Sequence, residues 1–191
     1  MAHFPRFTPD TAPEAARPTL AGALAGWGFV PNLHATLAAA PVALSAYTTL
    51  FDLVGETSFS PAEQQLAFLT VSALHGCEYC VAGHSALAQR AGLDATTIEA
   101  LREGGTLPDA RLEALRAFLV AMVQGRGHVA PGVMGAFLAA GFTEAQALEL
   151  LVVVAAKTIS NYTNHLAVTP NDAFMARTAW VAPSRRGRVA A

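Results

Sequence analysis

The chain has 191 residues, enough for one domain, or two small halves that share a core, to bury that core without disulfide bonds. Hydrophobic residues make up 53% of the sequence and charged residues 14%, so little charge is available to cover the surface. We therefore predict that the surplus apolar area is hidden in the interface of a homo-oligomer. The formal net charge of −2, with no basic patch interleaved with aromatic residues, argues against binding nucleic acid.

The sequence also predicts a cytoplasmic protein that does not enter a membrane. Its longest apolar run, residues 150–156, ends at Lys157 and is far shorter than the roughly 20 residues that cross a bilayer. Residues 1–10 lack the apolar stretch of a signal peptide. In a reducing compartment, two cysteines as close as Cys77 and Cys80 indicate redox chemistry or metal binding more often than a structural disulfide bond.

In chain order, the sequence predicts an irregular arm at residues 1–18, a single helical domain at 19–180 and a short tail at 181–191. Prolines break up the arm. Within the domain, apolar residues recur at helical rather than alternating spacing, and nothing is typical of a strand. The tail carries three arginines that we expect to be solvated, Arg185, Arg186 and Arg188. The predicted helices lie at residues 20–27, 33–39, 42–54, 61–74, 80–91, 95–103, 112–124, 131–140 and 144–160.

Two of these helices begin with the same capping pattern. Ser60 is followed by Pro61 and then by Glu63, the combination that forms a capping box. Thr143 with Gln146 repeats that logic. When the two caps are superimposed, the residues that follow match weakly, which predicts a degenerate internal duplication. Chance similarity between two amphipathic helices is the alternative.

The segment from Cys77 to His84 predicts a redox thiol site on a helix. Cys77 and Cys80 are three residues apart and His84 is four further along, so the three side chains share one helical face. This spacing brings the two cysteines within reach of a disulfide bond. Gly76 is predicted to break the preceding helix, which places the thiols in a first turn whose unpaired N–H groups favour a thiolate. His84 then accepts a thiol proton or pairs with the thiolate.

The same stretch allows a second interpretation, a zinc site. His75, Cys77, Cys80 and His84 together offer four ligands of the types that zinc prefers. One short stretch seldom closes a whole tetrahedron by itself, so we predict a site without metal. Zinc remains the alternative.

Residues 60–93, which read SPAEQQLAFLTVSALHGCEYCVAGHSALAQRAGL, resemble the core of the carboxymuconolactone decarboxylase superfamily, in particular its thiol-bearing, alkylhydroperoxidase-like branch. The pattern is a capped helix, then Gly-Cys-x-x-Cys, then a histidine four residues on. A looser likeness extends to Pro31, Asn32 and Pro41 upstream and to residues 161–167 downstream. The resemblance implies an all-α, multi-helix fold with an internal duplication, assembled as trimers or hexamers.

The cysteine pair sets this chain apart from the decarboxylase members of the superfamily, which lack it. By resemblance to the peroxidase branch, Cys80, nearest His84, attacks an organic hydroperoxide and becomes a sulfenic acid. Cys77 then condenses with it to a disulfide, and a dithiol donor resets the pair. In the well-known enzymes that donor is a lipoyl-bearing protein partner. No bound cofactor is predicted.

Two departures from the peroxidase pattern concern the proton relay. The glutamate that those enzymes carry twelve residues before the first cysteine is here Gln65, which cannot exchange a proton. Glu63 is a substitute candidate, although its capping role already accounts for it. The relay histidine between the cysteines is replaced by Glu78 and Tyr79. Glu78 would serve as an acid or base and Tyr79 as a hydrogen-bond donor, or both are packing or surface residues.

Two other functions compete with a thiol peroxidase. One is a lactone-processing or decarboxylase activity inherited from the wider superfamily, which would need neither thiol. The other is a redox sensor whose cysteine pair is oxidised without turnover. Downstream, Asn161, Asn164 and His165 either line the pocket or end the long helix and form hydrogen bonds at an interface, and the second is the plainer interpretation.

Overall fold

The computed structural model describes residues 4–186, and this part of the chain is built of α-helices. No strand occurs in that range, so the predicted all-α fold class is confirmed. Short 3-10 turns precede and follow the helices, at Glu14–Ala16, Ala173–Thr178 and Pro183–Arg185. The ends of the predicted arm and tail, residues 1–3 and 187–191 with Arg188, lie outside the described residues. The helices of the described range are α1 (Arg17–Trp27), α2 (Asn32–Leu37), α3 (Pro41–Gly55), α4 (Pro61–Leu74), α5 (Glu78–Arg90), α6 (Ala95–Glu103), α7 (Ala110–Gln124), α8 (Pro131–Ala139) and α9 (Glu144–Ala167).

The helix bounds follow the predicted ones closely, with one exception near the C-terminal end. α4 and α6 coincide with their predictions, whereas α9, predicted to end at residue 160, continues to Ala167. Asn161 and Asn164 are not a stop signal, because both side chains are buried and bonded to groups on other helices. The prediction that they end the helix is therefore wrong.

Both predicted capping boxes are present. The backbone N–H of Glu63 donates to Ser60 Oγ over 3.3 Å, and that of Ser60 donates to the Glu63 carboxylate over 2.9 Å. At the start of α9, the N–H of Gln146 donates to Thr143 Oγ1 (3.2 Å), and that of Thr143 donates to Gln146 Oε1 (3.0 Å). These bonds satisfy N–H groups that a helix start otherwise leaves unpaired, and they define where α4 and α9 begin.

Two adjoining clusters of buried apolar side chains form the core. The larger cluster surrounds α4, which packs against α5, α6, α7 and α9. The smaller one joins the N-terminal arm, α1, α2 and α3 to the first turn of α5, and it contains both cysteines. Phe51 on α3 packs against both clusters. The thiols therefore lie where the two halves of the core meet.

The described part of the predicted tail packs back onto the domain. Ala182 is buried at 2% exposure. Arg185 pairs with Glu78 over 3.3 Å, and Arg186 pairs with Glu103 over 2.5 Å. Both arginines are exposed, as expected, but each is also held by a carboxylate of the domain.

The predicted duplication aligns α4 and α5 with α9, and the two regions differ at the join. The chain breaks at Gly76 between α4 and α5, whereas α9 runs unbroken through the corresponding residues 158–160. The duplication itself stays a prediction.

Taken singly, none of the helices in residues 4–186 is long and apolar enough to cross a membrane. α8 and α9 meet that measure of length and composition only as a pair, and the chain bends by 109° between them.

Candidate active site

Both cysteines lie where α4 ends and α5 begins. Gly76 turns the chain with a φ of +67°, a conformation that residues with a side chain seldom adopt. Cys77 directly precedes α5, and Cys80 is the third residue of that helix. The two side chains are buried, at 0% and 3% exposure, and both are unpaired thiols. The thiols therefore occupy the first turn of a new helix, as the position of Gly76 predicts.

The side-chain amide of Asn164, on α9, reaches both sulfur atoms. Its Nδ2 lies 3.2 Å from Cys80 Sγ and 3.8 Å from Cys77 Sγ. Burial by itself raises the pKa of the Cys80 thiol, but the hydrogen bond from Cys77, the charge of Lys157 and the Asn164 amide outweigh it and lower this pKa to about 6. The hydrogen bond to Cys80, together with burial, raises the pKa of Cys77. These opposite shifts favour the thiolate at Cys80 and the protonated thiol at Cys77.

A chain of hydrogen bonds runs beside the thiolate from α9 through α5 to α4. Lys157 Nζ lies 2.9 Å from His84 Nε2, and His84 Nδ1 lies 2.9 Å from Gln65 Oε1. The amide oxygen of Gln65 can only accept, so His84 carries its proton on Nδ1 and accepts from the lysine at Nε2. Burial and the ammonium of Lys157 hold the pKa of His84 well below its ordinary value, so the ring is neutral.

Lys157 is the single lysine of the chain, and its side chain is buried at 1% exposure. Its Nζ stands 5.5 Å from the centre of the Phe68 ring, on which His84 stacks at 4.6 Å. None of the ion pairs found between described residues includes it. Because a buried cation without a counter-charge is costly, the nearby thiolate of Cys80 is the anion that balances Lys157.

Cys80 lies in the wall of a cavity of about 60 Å³ that is partly open to solvent. Most of the wall is apolar, and its polar groups include Lys157, His84 and Asp172. A wall of this kind suits an organic ligand that presents one polar end to the thiolate. The aromatic side chains of the wall are Trp27, Tyr47, Phe51, Tyr79 and Phe174.

Tyr79 and Asp172 hold one side of this cavity together. The Tyr79 hydroxyl donates to the Asp172 carboxylate and accepts the N–H of Leu33 over 3.4 Å. Asp172 also accepts the N–H of Asn32 at the start of α2, over 3.1 Å. Burial and the Asp172 carboxylate raise the pKa of Tyr79, so the phenol keeps its proton. Tyr79 therefore acts as a hydrogen-bond donor that ties α5 to the segment after α9.

The other candidates for the proton relay are placed differently. Gln65 reaches His84, as described above. Glu63 stays in the cap of α4 and pairs with Arg111 over 3.1 Å, so the structure does not bring it to the thiols. Glu78 turns toward the C-terminal segment, where it pairs with Arg185.

The four residues considered for zinc do not converge on one point. His75 Nδ1 accepts the amide of Asn161 over 2.9 Å, and both nitrogens of His84 are engaged by Lys157 and Gln65. Within residues 4–186, no three His, Cys, Asp or Glu side chains are placed to hold a metal ion. The zinc alternative therefore has no geometric support in the described residues.

Sequence reasoning assigned no role to Lys157, and it offered Asn164 as a pocket or helix-end residue without connecting it to the thiols. Both lie on the buried face of α9, two helical turns apart, with Asn161 between them. The available signal was a polar stripe, including the chain's single lysine, along the buried side of an apolar helix. His165, considered together with Asn164, is exposed instead.

Part of the chain matches the model of a known family. Residues 41–122 match the model of the Carboxymuconolactone decarboxylase family. That segment runs from the start of α3 nearly to the end of α7 and includes Gln65, both cysteines and His84. The resemblance to this superfamily and to its alkylhydroperoxidase-like branch is thereby confirmed. No curated protein sequence matches the chain.

Several solved structures share the fold. One is the alkylhydroperoxidase AhpD core of an uncharacterized peroxidase-related protein from Ralstonia eutropha JMP134, with 22% identity, a TM-score of 0.76 and coverage of 91% of this chain and 94% of that one. A peroxidase-related protein from Silicibacter sp. TM1040 has 22% identity, a TM-score of 0.71 and coverage of 84% and 86%. The debrominase Bmp8, in complex with 2,3,4-tribromopyrrole, has 21% identity, a TM-score of 0.73 and coverage of 93% and 96%. At these identities the likeness establishes the fold.

Proposed function

We propose that this protein is a thiol-dependent oxidoreductase that reduces organic hydroperoxides through Cys77 and Cys80. The observation that carries the proposal is the buried sulfur of Cys80 in the wall of a largely apolar cavity, with the Asn164 amide 3.2 Å from it and the Cys77 thiol beside it. Hydroperoxide reduction requires a nucleophilic thiolate, a surface for the organic group and a second thiol that resolves the product. The family match and the shared fold support the coarser assignment, an enzyme of the alkylhydroperoxidase and carboxymuconolactone decarboxylase type.

The oxidative half of the reaction uses both cysteines in turn. The Cys80 thiolate attacks the terminal oxygen of the hydroperoxide, the O–O bond breaks, and the alcohol leaves after gaining a proton. Cys80 is then a sulfenic acid. The Cys77 sulfur attacks the Cys80 sulfur, an S–S bond forms, and the hydroxyl leaves as water with the Cys77 proton. The raised pKa of Cys77 keeps that proton on the sulfur until this step.

A dithiol donor completes the cycle. Its first thiolate attacks one sulfur of the disulfide and its second thiol closes the exchange, so the donor leaves oxidised and both cysteines are reduced. Cys77 and Cys80 are buried, so the donor has to be slender. A small dithiol, or a lipoyl-type group on the arm of a protein partner, fits that requirement better than a cysteine on the surface of a folded domain.

Peroxide consumption with dithiothreitol as the donor tests this proposal. We expect the native protein to turn over cumene hydroperoxide and the Cys80→Ser variant to be inert. The Cys77→Ser variant is expected to react once per subunit and to stop at a sulfenic acid that dimedone traps. Turnover that survives both substitutions would contradict the proposal and favour a thiol-independent activity. One stoichiometric oxidation of the native protein without turnover would indicate a redox sensor.

The aromatic wall of the cavity favours a second candidate, reductive dehalogenation of a brominated aromatic ring. The pair would supply two electrons: a C–H bond replaces C–Br, bromide and a proton are released, and a disulfide forms. A debrominase is among the proteins that share the fold. Bromide release from 2,3,4-tribromopyrrole in the dithiothreitol assay tests this candidate, with the Cys80→Ser variant as the control. Absence of bromide release would eliminate it.

A further inference from the structure

We propose that Lys157 is the catalytic acid of the oxidative step and delivers the proton that the departing alkoxide needs. This inference rests on the proposed hydroperoxide chemistry. An alkoxide is a strong base, and expelling it into an apolar cavity without a proton is unfavourable. A positioned general acid removes that barrier and typically contributes ~100-fold or more in rate.

The other polar hydrogens near Cys80 are already committed. His84 is neutral, donates its one N–H to Gln65 and presents only a lone pair to Lys157. The hydroxyl of Tyr79 donates to Asp172. These contacts leave His84 and Tyr79 without a proton for the substrate.

Cys77, Tyr47 and His34 also carry hydrogens near Cys80. Cys77 holds its proton against Cys80 and needs it for the later release of water. Tyr47 also lines the cavity, but burial and the two cysteines raise the pKa of its phenol, which makes it a poor proton source. His34 lines the cavity as well, but burial lowers its pKa to about 4, so its ring is neutral. Among the polar side chains of the described cavity wall, Lys157 is therefore the remaining donor and the one that carries a positive charge.

The position of Lys157 fits this role. An ammonium has three N–H bonds, and His84 Nε2 engages one of them at 2.9 Å. Two remain for the Cys80 thiolate and for the oxygen of a bound hydroperoxide in the cavity that Lys157 and Cys80 both line. Phe68 packs on another side of the ammonium and keeps water away from it.

The charges around the ammonium support transfer toward the substrate. Neutral His84 accepts only a hydrogen bond, and the thiolate is the nearby anion until it attacks. Once Cys80 has become a sulfenic acid, that anion is gone and the buried ammonium loses its counter-charge. The titratable groups that face Lys157 or share its cavity are Cys77, Cys80, His84, His75, Tyr47, Tyr79, His34 and Asp172.

The oxidative step transfers two electrons from Cys80 and one proton from Lys157. The Cys80 thiolate takes the terminal hydroxyl of the hydroperoxide and is oxidised to the sulfenic acid, while the O–O bond is reduced. The alkoxide takes a proton from Lys157, which gives the alcohol and a neutral amine. When the dithiol later reduces the disulfide, the new Cys80 thiol returns a proton to the amine, and the thiolate and ammonium are restored.

Two oxidants with different leaving groups distinguish a role of Lys157 as a general acid from a role as a counter-charge alone. tert-Butyl hydroperoxide expels an alkoxide that needs a proton, whereas peracetic acid expels a carboxylate that does not. Single-turnover oxidation of the pre-reduced protein is measured with each. The readout is the ratio of the two rate constants, because any change in the thiolate population affects both and cancels.

The variants are Lys157→Arg, which keeps the charge on a group that does not deprotonate in proteins, and Lys157→Met, which removes the charge at similar length. We expect both variants to raise the ratio of peracid to alkyl hydroperoxide rates by ~100-fold or more. Tyr47→Phe is the matched control for the other donor in the cavity wall, and its ratio is expected to equal that of the native protein.

Equal losses with both oxidants in both lysine variants would overturn the inference and leave Lys157 as a counter-charge of the thiolate. A raised ratio in Tyr47→Phe instead of the lysine variants would assign the acid to Tyr47 and also overturn it. Failure of native Cys80 to react with either oxidant is a different outcome, since it would refute the proposed function together with this step.

Discussion

The charge of Lys157 and hydrogen bonds from Cys77 and Asn164 stabilise the thiolate of Cys80. They act in place of a general base that is paired with a carboxylate. Gln65, which stands where the resemblance to the peroxidase branch would place a glutamate, lies 2.9 Å from His84 Nδ1 and fixes the tautomer of that ring. The neighbouring Lys157 keeps His84 neutral. In the proposed reaction the nucleophile, Cys80, is therefore ionised at neutral pH, and His84 positions the ammonium of Lys157.

The pH dependence of oxidation follows from the lowered pKa of Cys80, about 6. The thiolate is the attacking form, and it is protonated as the pH falls through that value. We expect the single-turnover rate constant with peroxide to be nearly constant above neutral pH and to fall about tenfold per unit well below pH 6. Stopped-flow oxidation of the pre-reduced protein checks this profile. A midpoint near the ordinary cysteine value would contradict the assignment of Cys80 as a resting thiolate.

Asn164 provides a second test at the residue scale. Its amide lies 3.2 Å from Cys80 Sγ, and a hydrogen bond to a charged group contributes about 1.5–3 kcal/mol. Asn164→Leu should therefore raise the pKa of Cys80 by roughly one to two units, which a titration of thiolate absorbance measures. Asn161→Leu is the matched control, because Asn161 contacts His75 and not the sulfurs. An equal shift in both variants would indicate a general disturbance of α9.

α9 serves two purposes at the scale of elements, because its two faces differ. The buried face brings Lys157 and Asn164 to the thiols of α5. The opposite face exposes apolar side chains along most of its length, including Leu148 at 67% and Leu166 at 70%. The break at Gly76 is the complementary feature, since it aims the first turn of α5 at the buried face of α9.

We expect the residues that cap α4 to stabilise the fold and to take no part in the oxidation of Cys80. Glu63→Gln removes the ion pair with Arg111 and weakens the capping box, so we expect a loss of up to about 1 kcal/mol in the free energy of unfolding. The rate of peroxide oxidation should be unchanged, because Glu63 lies in the cap. Urea unfolding and single-turnover oxidation measure the two effects, and Gln146→Ala, in the cap of α9, is the matched control. A large loss of oxidation rate in Glu63→Gln alone would assign Glu63 to the relay after all.

For the whole molecule, the apolar surplus remains visible on the surface of the single chain. Leu148, Leu151, Tyr162 and Leu166 share one exposed face of α9, and a contiguous apolar face of this kind is typical of a subunit interface. We propose that this face joins subunits of a homo-oligomer, a trimer or hexamer.

Light scattering at micromolar concentration tests the assembly. The native protein should have a mass several times 19.9 kDa, and the double substitution Leu148→Glu with Leu166→Glu should shift it toward the monomer. Leu24→Glu, at a half-exposed position on α1, is the control and should leave the mass unchanged. A native monomer would refute the proposal.

Much of this molecule follows from local sequence signals. The helices, both capping boxes and the break at Gly76 were predictable because spacing of apolar residues, caps and a left-handed glycine act within one or two turns of chain. The thiol pair and His84 were predictable for the same reason, since Cys77 directly precedes α5 and Cys80 and His84 lie on successive turns of that helix. The continuation of α9 past residue 160 was not, because the partners that bury Asn161 and Asn164 lie on α4 and α5.

The sequence alone determined that the chain is helical and carries a thiol pair with a histidine on one helical face. Tertiary structure decided what surrounds that pair. Lys157 lies 77 residues after Cys80 in the sequence, but packing of α9 against α5 places its ammonium beside the thiolate. Burial and charge at a site depend on contacts between distant segments, which local patterns do not encode. The protonation states of Cys77, Cys80 and His84, and with them the direction of the chemistry, therefore emerge only in the folded chain.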